Sequence, residues 1–273
     1  MDLDYIFQYL FTKSGESTKI NLPMSFEQFE ILDIAAKREI IIDKTVFWGF
    51  EEKQNGKTFI TVPGEAEKEC VVDFSKNDSF GKVVRFYLNR QGTAVESLVI
   101  FNHPYGLESC APLRIKNLKW TLEINSPRYD YTTWFNCLRT YQIESVELDL
   151  NGEDYTILSE DVISNASKLH VQTMNPLPIQ AILNLKARDL KLEQKLNYED
   201  FLRICEQWNQ LRKPIGSKIT VKIDDFESLK TKLKLNFEDH LEENQEWCII
   251  AISEVKLNIS YSNSSEIMIE VIE

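Results

Sequence analysis

"ARDLKLEQKLNYEDFLRICEQWNQ", residues 187–210, carries two apolar rhythms in immediate succession. Leu190 and Leu192 alternate with charged residues, the period of a strand that buries one face. Phe201, Cys205 and Trp208 then recur at spacings of four and three, the period of a helix with one dry stripe. Asn197 precedes the helical run, and Asp200 follows three residues later, a capping-box-like start. "RKPIG" (212–216) ends the helix, because Pro and Gly cannot continue it. The stretch is therefore one unit of strand, turn, helix and return. Asp189, Glu193, Glu199 and Asp200 are its wet side and its caps, rather than catalytic groups beside Cys205.

The unit recurs. Strand-like tags run along the middle of the chain: "VESLVIFN" (95–102), "KWTLEIN" (119–125), "ESVELDLN" (144–151), "SKLHVQTMN" (167–175), "ARDLKLE" (187–193) and "SKITVKID" (217–224). Their first inward residues align as Leu98, Leu122, Val146, Leu169, Leu190 and Ile219, at steps of 24, 24, 23, 21 and 29 residues. Four tags end in Asn (Asn102, Asn125, Asn151, Asn175), whose side chains can satisfy backbone groups at a turn. Helices are expected between tags, as in "DYTTWFNCLRT" with Trp134, Leu138 and Tyr141 on one face, and in "MNPLPIQAILNL" after an irregular entry at Pro176 and Pro178. The rhythm predicts an α/β fold: an irregular leucine-rich-repeat-like solenoid of strand–helix units over residues 95–273.

The flanks read differently. Residues 46–94 alternate short apolar runs with turns ("QNGK", "VPGEAE", "KNDSFG"), which predicts a β-rich segment packed on the solenoid. Asn55-Gly56, between "VFWGFEE" and "KTFITV", is the sharpest hairpin signal in the chain. From Trp247, "WCIIAIS", "VKLNISYS" and "EIMIEVIE" predict a C-terminal β cap. Residues 1–45 are expected to be helical.

Composition excludes several classes. A chain of 273 residues with 43% apolar residues, 9 Gly and 8 Pro has the makeup of a globular protein with a sizeable core. Runs such as "EIIID" and "CIIAI" are too short to cross a bilayer, and Asp2 and Asp4 stand where a signal peptide would be basic. No membrane partner and a cytoplasmic or nuclear location are expected. Five cysteines, widely spaced and without a C-x-x-C pair, read as buried hydrophobes of a reducing compartment. A net charge of −12 disfavours nucleic acid, which is bound through clustered Lys and Arg.

"IQAILNLKARDLKLEQKLNYEDFLRICEQWNQ" (179–210) resembles the core of the F-box-associated domain expanded in nematodes. Leu183, Leu190, Leu192, Asn197, Glu199, Asp200, Phe201, Leu202 and Trp208 occupy its pattern, and the resemblance extends over residues 95–270. It implies a protein-interaction module, with an SCF ubiquitin-ligase adaptor and a degradation substrate as protein partners. "LPMSFEQFEILDIAAKREIII" (22–42) resembles a degenerate F-box in either of two registers. In one, Leu22-Pro23 and Ile31-Leu32 form the opening; in the other, "MSFEQFEI…AAKREII" forms the later part. The resemblance implies adaptor contact through Leu22, Pro23, Phe26, Phe29, Ile31 and Leu32.

Catalytic signals are sparse. The three histidines (103, 170, 240) form no H-x-x-x-H or H-E-x-x-H spacing, and there is no glycine-rich phosphate loop. A Cys–His pair such as Cys110 with His103 has no sequence signature, and Asp224-Asp225 or Glu242-Glu243 sit in charged, solvated surroundings. The sequence thus predicts no catalytic residues, metal or cofactor, and makes a small-molecule ligand unattractive. The second reading is an α/β enzyme, hydrolase-like, using a Cys or His. The favoured candidate surface is the strand face opposite the core: Glu147, Asp149, His170, Gln172, Lys191 and Glu193 in a row, beside Glu123, as a protein-binding stripe.

Overall fold

The structure, a computed structural model, describes residues 24–34, 37–52, 57–61, 69–72, 75–123, 132–138, 143–151, 155–237, 241–243, 247–252, 255–263 and 266–273. The fold is α/β, with more strand than helix. Its contacts divide it into two compact units, Met1–Glu144 and Ser145–Glu273. The boundaries expected near residues 45 and 94 are not where it divides, because the first strand pairs with one that begins at Ala94.

The first unit contains β1 (Ser25–Ile34), β2 (Lys37–Ile42), β3 (Val46–Glu52), β4 (Thr58–Thr61), β5 (Glu69–Val72), helix α1 (Lys76–Leu88), β6 (Ala94–Phe101), β7 (Arg114–Leu122) and the single turn α2 (Thr132–Phe135). Its strands lie in the order β7-β6-β1-β2-β3-β4-β5. β1 to β5 form an antiparallel meander, while β1, β6 and β7 run parallel.

Two expectations are corrected here. Residues 25–34 and 37–42 are not helical: they form β1 and β2, paired from Phe29↔Ile42 to Ile34↔Lys37. The spacing of Phe26 and Phe29 mimics a helix, but Phe29, Ile31 and Asp33 then alternate inward, and the β-branched run Ile40–Ile42 favours a strand. Conversely, "KNDSFG" opens α1 rather than a β-turn. Ser75 caps it, its Oγ accepting from the Asp78 N–H at 3.2 Å, and Phe80, Val83, Val84 and Leu88 make its buried stripe. Ser, Asn, Asp and Gly serve turns and helix caps alike, so composition alone does not separate the two. The Asn55-Gly56 turn lies outside the described residues, although the flanking β3 and β4 pair antiparallel.

The second unit contains β8 (Ser145–Leu150), α3 (Asp161–Ser164), β9 (Lys168–Thr173), α4 (Ile179–Leu183), β10 (Asp189–Lys195), α5 (Tyr198–Gln210), β11 (Lys218–Lys222), α6 (Phe226–Phe237), β12 (Leu241–Glu243), β13 (Trp247–Ile252), β14 (Val255–Asn263) and β15 (Glu266–Ile272). The order is β12-β13-β14-β15-β11-β10-β9-β8. β8 to β11 are parallel neighbours joined by helical crossovers. The terminal strands are antiparallel, β15 pairing with β11.

The aligned positions meet in register. Val146, Leu169, Leu190 and Ile219 lie opposite one another, and the row continues through Ile269, Ile259 and Cys248. All seven are buried. Across this core α5 lays Phe201, Ile204, Cys205 and Trp208, each large apolar side chain contributing about 1.5–3 kcal/mol on burial. The period fails in the first unit: Leu98 lies opposite Leu118, four residues short of Leu122.

Candidate functional site

Because side chains alternate along a strand, burying the Leu190 row turns the neighbouring positions to the opposite face. There Glu147, His170 and Lys191 lie opposite one another, followed by Thr220 of β11 and Met268 of β15. A second row places Lys168 opposite Asp189, Asp189 opposite Lys218, and Lys218 opposite Glu270. Asp149 pairs with Gln172 in a third.

Glu193 organises this face. Its carboxylate receives Lys222 Nζ at 2.8 Å, Lys191 Nζ at 2.9 Å and His170 Nε2 at 3.1 Å. The hydrogen bond from Lys222 leads the cause, followed by those from Lys191 and His170, and together they outweigh partial burial to hold the carboxyl at about 2. Lys191 also reaches Glu266 at 3.5 Å, and Lys218 meets Asp189 at 3.1 Å. Most of the charge is thus satisfied within the sheet, on stiff strands, and the surface is mixed rather than mainly acidic. Lys218, Lys222 and Glu266 were missed by sequence reasoning. The two lysines were legible, since alternation in "SKITVKID" turns them outward. Glu266 had no local signal, because antiparallel pairing with β11 brings it in from the end of the chain.

Glu123 belongs to the first unit, where its N–H donates to Asn102 Oδ1 at 2.9 Å. Asn102 also donates to the carbonyl of Asp33 at 2.9 Å, so it bridges neighbouring strands as the Asn-ended tags suggested. It stands in the left-handed region, at φ 61. Of the adaptor-contact residues, Leu22 and Pro23 lie outside the described residues. Phe26, Phe29 and Ile31 are at most 9% exposed and pack in the core of the first unit. They present no helical docking surface, and only Leu32 is half-buried.

Burial disfavours thiol chemistry at the described cysteines. The Cys205 and Cys110 thiols are pushed up by desolvation, and Cys137 to about 12 for the same reason. Cys205 is fully buried, and Trp208 beside it in the α5 stripe is 7% exposed. No helix among the described residues is long and apolar enough to cross a membrane. No protein-family model, curated protein or solved structure matches the chain.

Proposed function

We propose that this chain is a non-catalytic protein-interaction module of F-box-associated type, a derivative that works without the SCF adaptor contact. The polar face of β8 to β11 would meet the partner. One observation carries the reading: Lys191, Lys222 and His170 converge on a single carboxylate on one strand face, where the β10–β11 pairing shifts register between Lys191 and Lys195. Charged groups held this way lose little side-chain freedom on binding and favour specificity for a partner of complementary pattern. The leucine-rich-repeat-like character is confined in this proposal to the four parallel strands and their crossovers. Burial of Phe29 and Ile31 in β1 favours the derivative over an active ligase receptor.

Affinity capture from cell extract, followed by mass spectrometry, tests the reading. The wild-type chain is expected to retain a protein partner that the double variant Lys191→Glu, Lys222→Glu releases, and neither is expected to retain the SCF adaptor. Equal recovery by both chains would remove the sheet face from the proposal. Stoichiometric adaptor binding by the purified chain would restore the receptor version.

A further inference from the structure

At the carboxyl ends of β10 and β11 the chain turns twice from strand into helix, and a cleft of about 310 Å³ opens between the starts of α5 and α6. In parallel α/β sheets this is the end at which ligands bind. Its floor is apolar: Phe201, Ile223 and Leu229 are 1, 8 and 7% exposed. One wall is braced by Tyr198, whose hydroxyl donates to the Lys232 carbonyl at 3.0 Å and accepts from Asn236 Nδ2 at 2.6 Å. The Lys232 ammonium lies 5.3 Å from the Tyr198 ring. Asp224 and Asp225 also line the cleft. Asp225 is fixed, its oxygens accepting from the Glu227 and Ser228 N–H groups at 3.0 and 3.2 Å. Asp224 is paired only with Lys195, and these side chains are 79% and 66% exposed. Such a solvated pair adds little and exchanges readily for a better partner.

We propose that this cleft binds a peptide segment of a partner protein through one apolar anchor side chain flanked by an arginine or lysine. The charge pattern favours a peptide, because an apolar floor for one side chain lies beside two carboxylates and an ammonium that complement charged and polar neighbours on the same segment. The polarity sets the flanks. The basic neighbour faces Asp224 and Asp225, and the Lys232 side accepts a carboxylate or a backbone carbonyl. The site is separate from the Glu193 face, so it holds or falls independently of that reading.

Selection of a random displayed peptide library on the full chain tests it. Enriched peptides are expected to share an apolar residue next to Arg or Lys. Their affinity should fall about tenfold or more in Ser228→Phe, which fills the mouth from an exposed position while keeping the backbone cap, as expected when a single buried anchor is lost. Asp224→Lys should weaken the same peptides and abolish the preference for a basic flank, while Lys191→Glu should leave their affinity unchanged. Absence of enrichment, or enriched peptides indifferent to Ser228→Phe, would overturn the proposal. Peptides lost only in Lys191→Glu would do the same while supporting the sheet face. Circular dichroism melts matching the wild type would establish that the variants fold.

Discussion

Arg38 on β2 lies opposite Asp33 on β1 and donates its Nε hydrogen to Asp33 Oδ1 at 2.6 Å, with the two side chains only 7% and 12% exposed. The same guanidinium bonds Asn77 in the first turn of α1 and stacks 3.9 Å from the Tyr105 ring centroid. One ion pair therefore joins two strands, a helix start and the loop after β6. Removing one partner leaves a buried charge uncompensated, which costs about 3–5 kcal/mol. Arg38→Ala is expected to lower the unfolding free energy read from urea denaturation by that amount, and Asp33→Leu combined with Arg38→Met to recover most of it. An additive loss in the double variant would show that the pair is not coupled.

The loop holding Tyr105 is fixed by glycine. Gly106 has φ +91, and a Cβ there would lie 2.8 Å from Gly81 Cα and 2.9 Å from its carbonyl oxygen. Gly106→Ala should destabilise by more than the roughly 1–2 kcal/mol of left-handed backbone alone. A Cβ on Gly81 meets first the flexible end of Arg85 at 3.2 Å, so Gly81→Ala should cost less. Thermal melts of the two variants check the asymmetry.

Asn197 Oδ1 accepts the Asp200 N–H at 2.9 Å at the start of α5. Asn197→Ala should cost about 1 kcal/mol, and Asn197→Ser close to nothing. Chemical denaturation would resolve this, and a loss in the serine variant as large as in alanine would point away from capping.

The Glu193 carboxyl sits at about 2, below the ordinary value of 4.5. Its folded value is depressed, so the stabilising contribution is complete above 4.5 and is lost as pH falls toward 2. Glu193→Gln should flatten the fall in stability across that window. Denaturant midpoints measured between pH 6 and 2.5 make the comparison.

Burial also pushes up the thiols of Cys110, Cys137 and Cys205. In the folded chain at neutral pH a thiol probe should label them slower than in urea by on the order of a hundredfold or more. Mass spectrometry of labelled peptides gives the rates. One cysteine among these reacting fast would revive the alternative of a cysteine-based enzyme.

Much of the second unit was legible in the sequence. Val146, Leu169, Leu190 and Ile219 alternate with polar neighbours, and that local pattern holds whatever the strands pair with, so spacing identified the inward positions that pairing then set opposite one another. Asn197 was recognisable for the same reason, because a cap acts within three residues. The outward placement of His170, Lys191 and Glu193 followed from the alternation.

What sequence could not determine was set by distant partners. The stretch around Phe26 and Phe29 carries a helix-like spacing, and pairing with β2 on one side and β6 on the other makes it a strand. That pairing ties residues near 30 to residues near 100 and moves the division of the chain to Glu144. Glu266 joins the charged face, and Arg38 finds Asn77 and Tyr105, through contacts between residues far apart in the chain. The sequence by itself determined which residues face inward along each strand of the repeat, because side-chain alternation is a property of the local backbone. Only the tertiary structure decided which strands are neighbours and which charges meet, because hydrogen-bonded pairing is a choice among distant segments that no local pattern encodes.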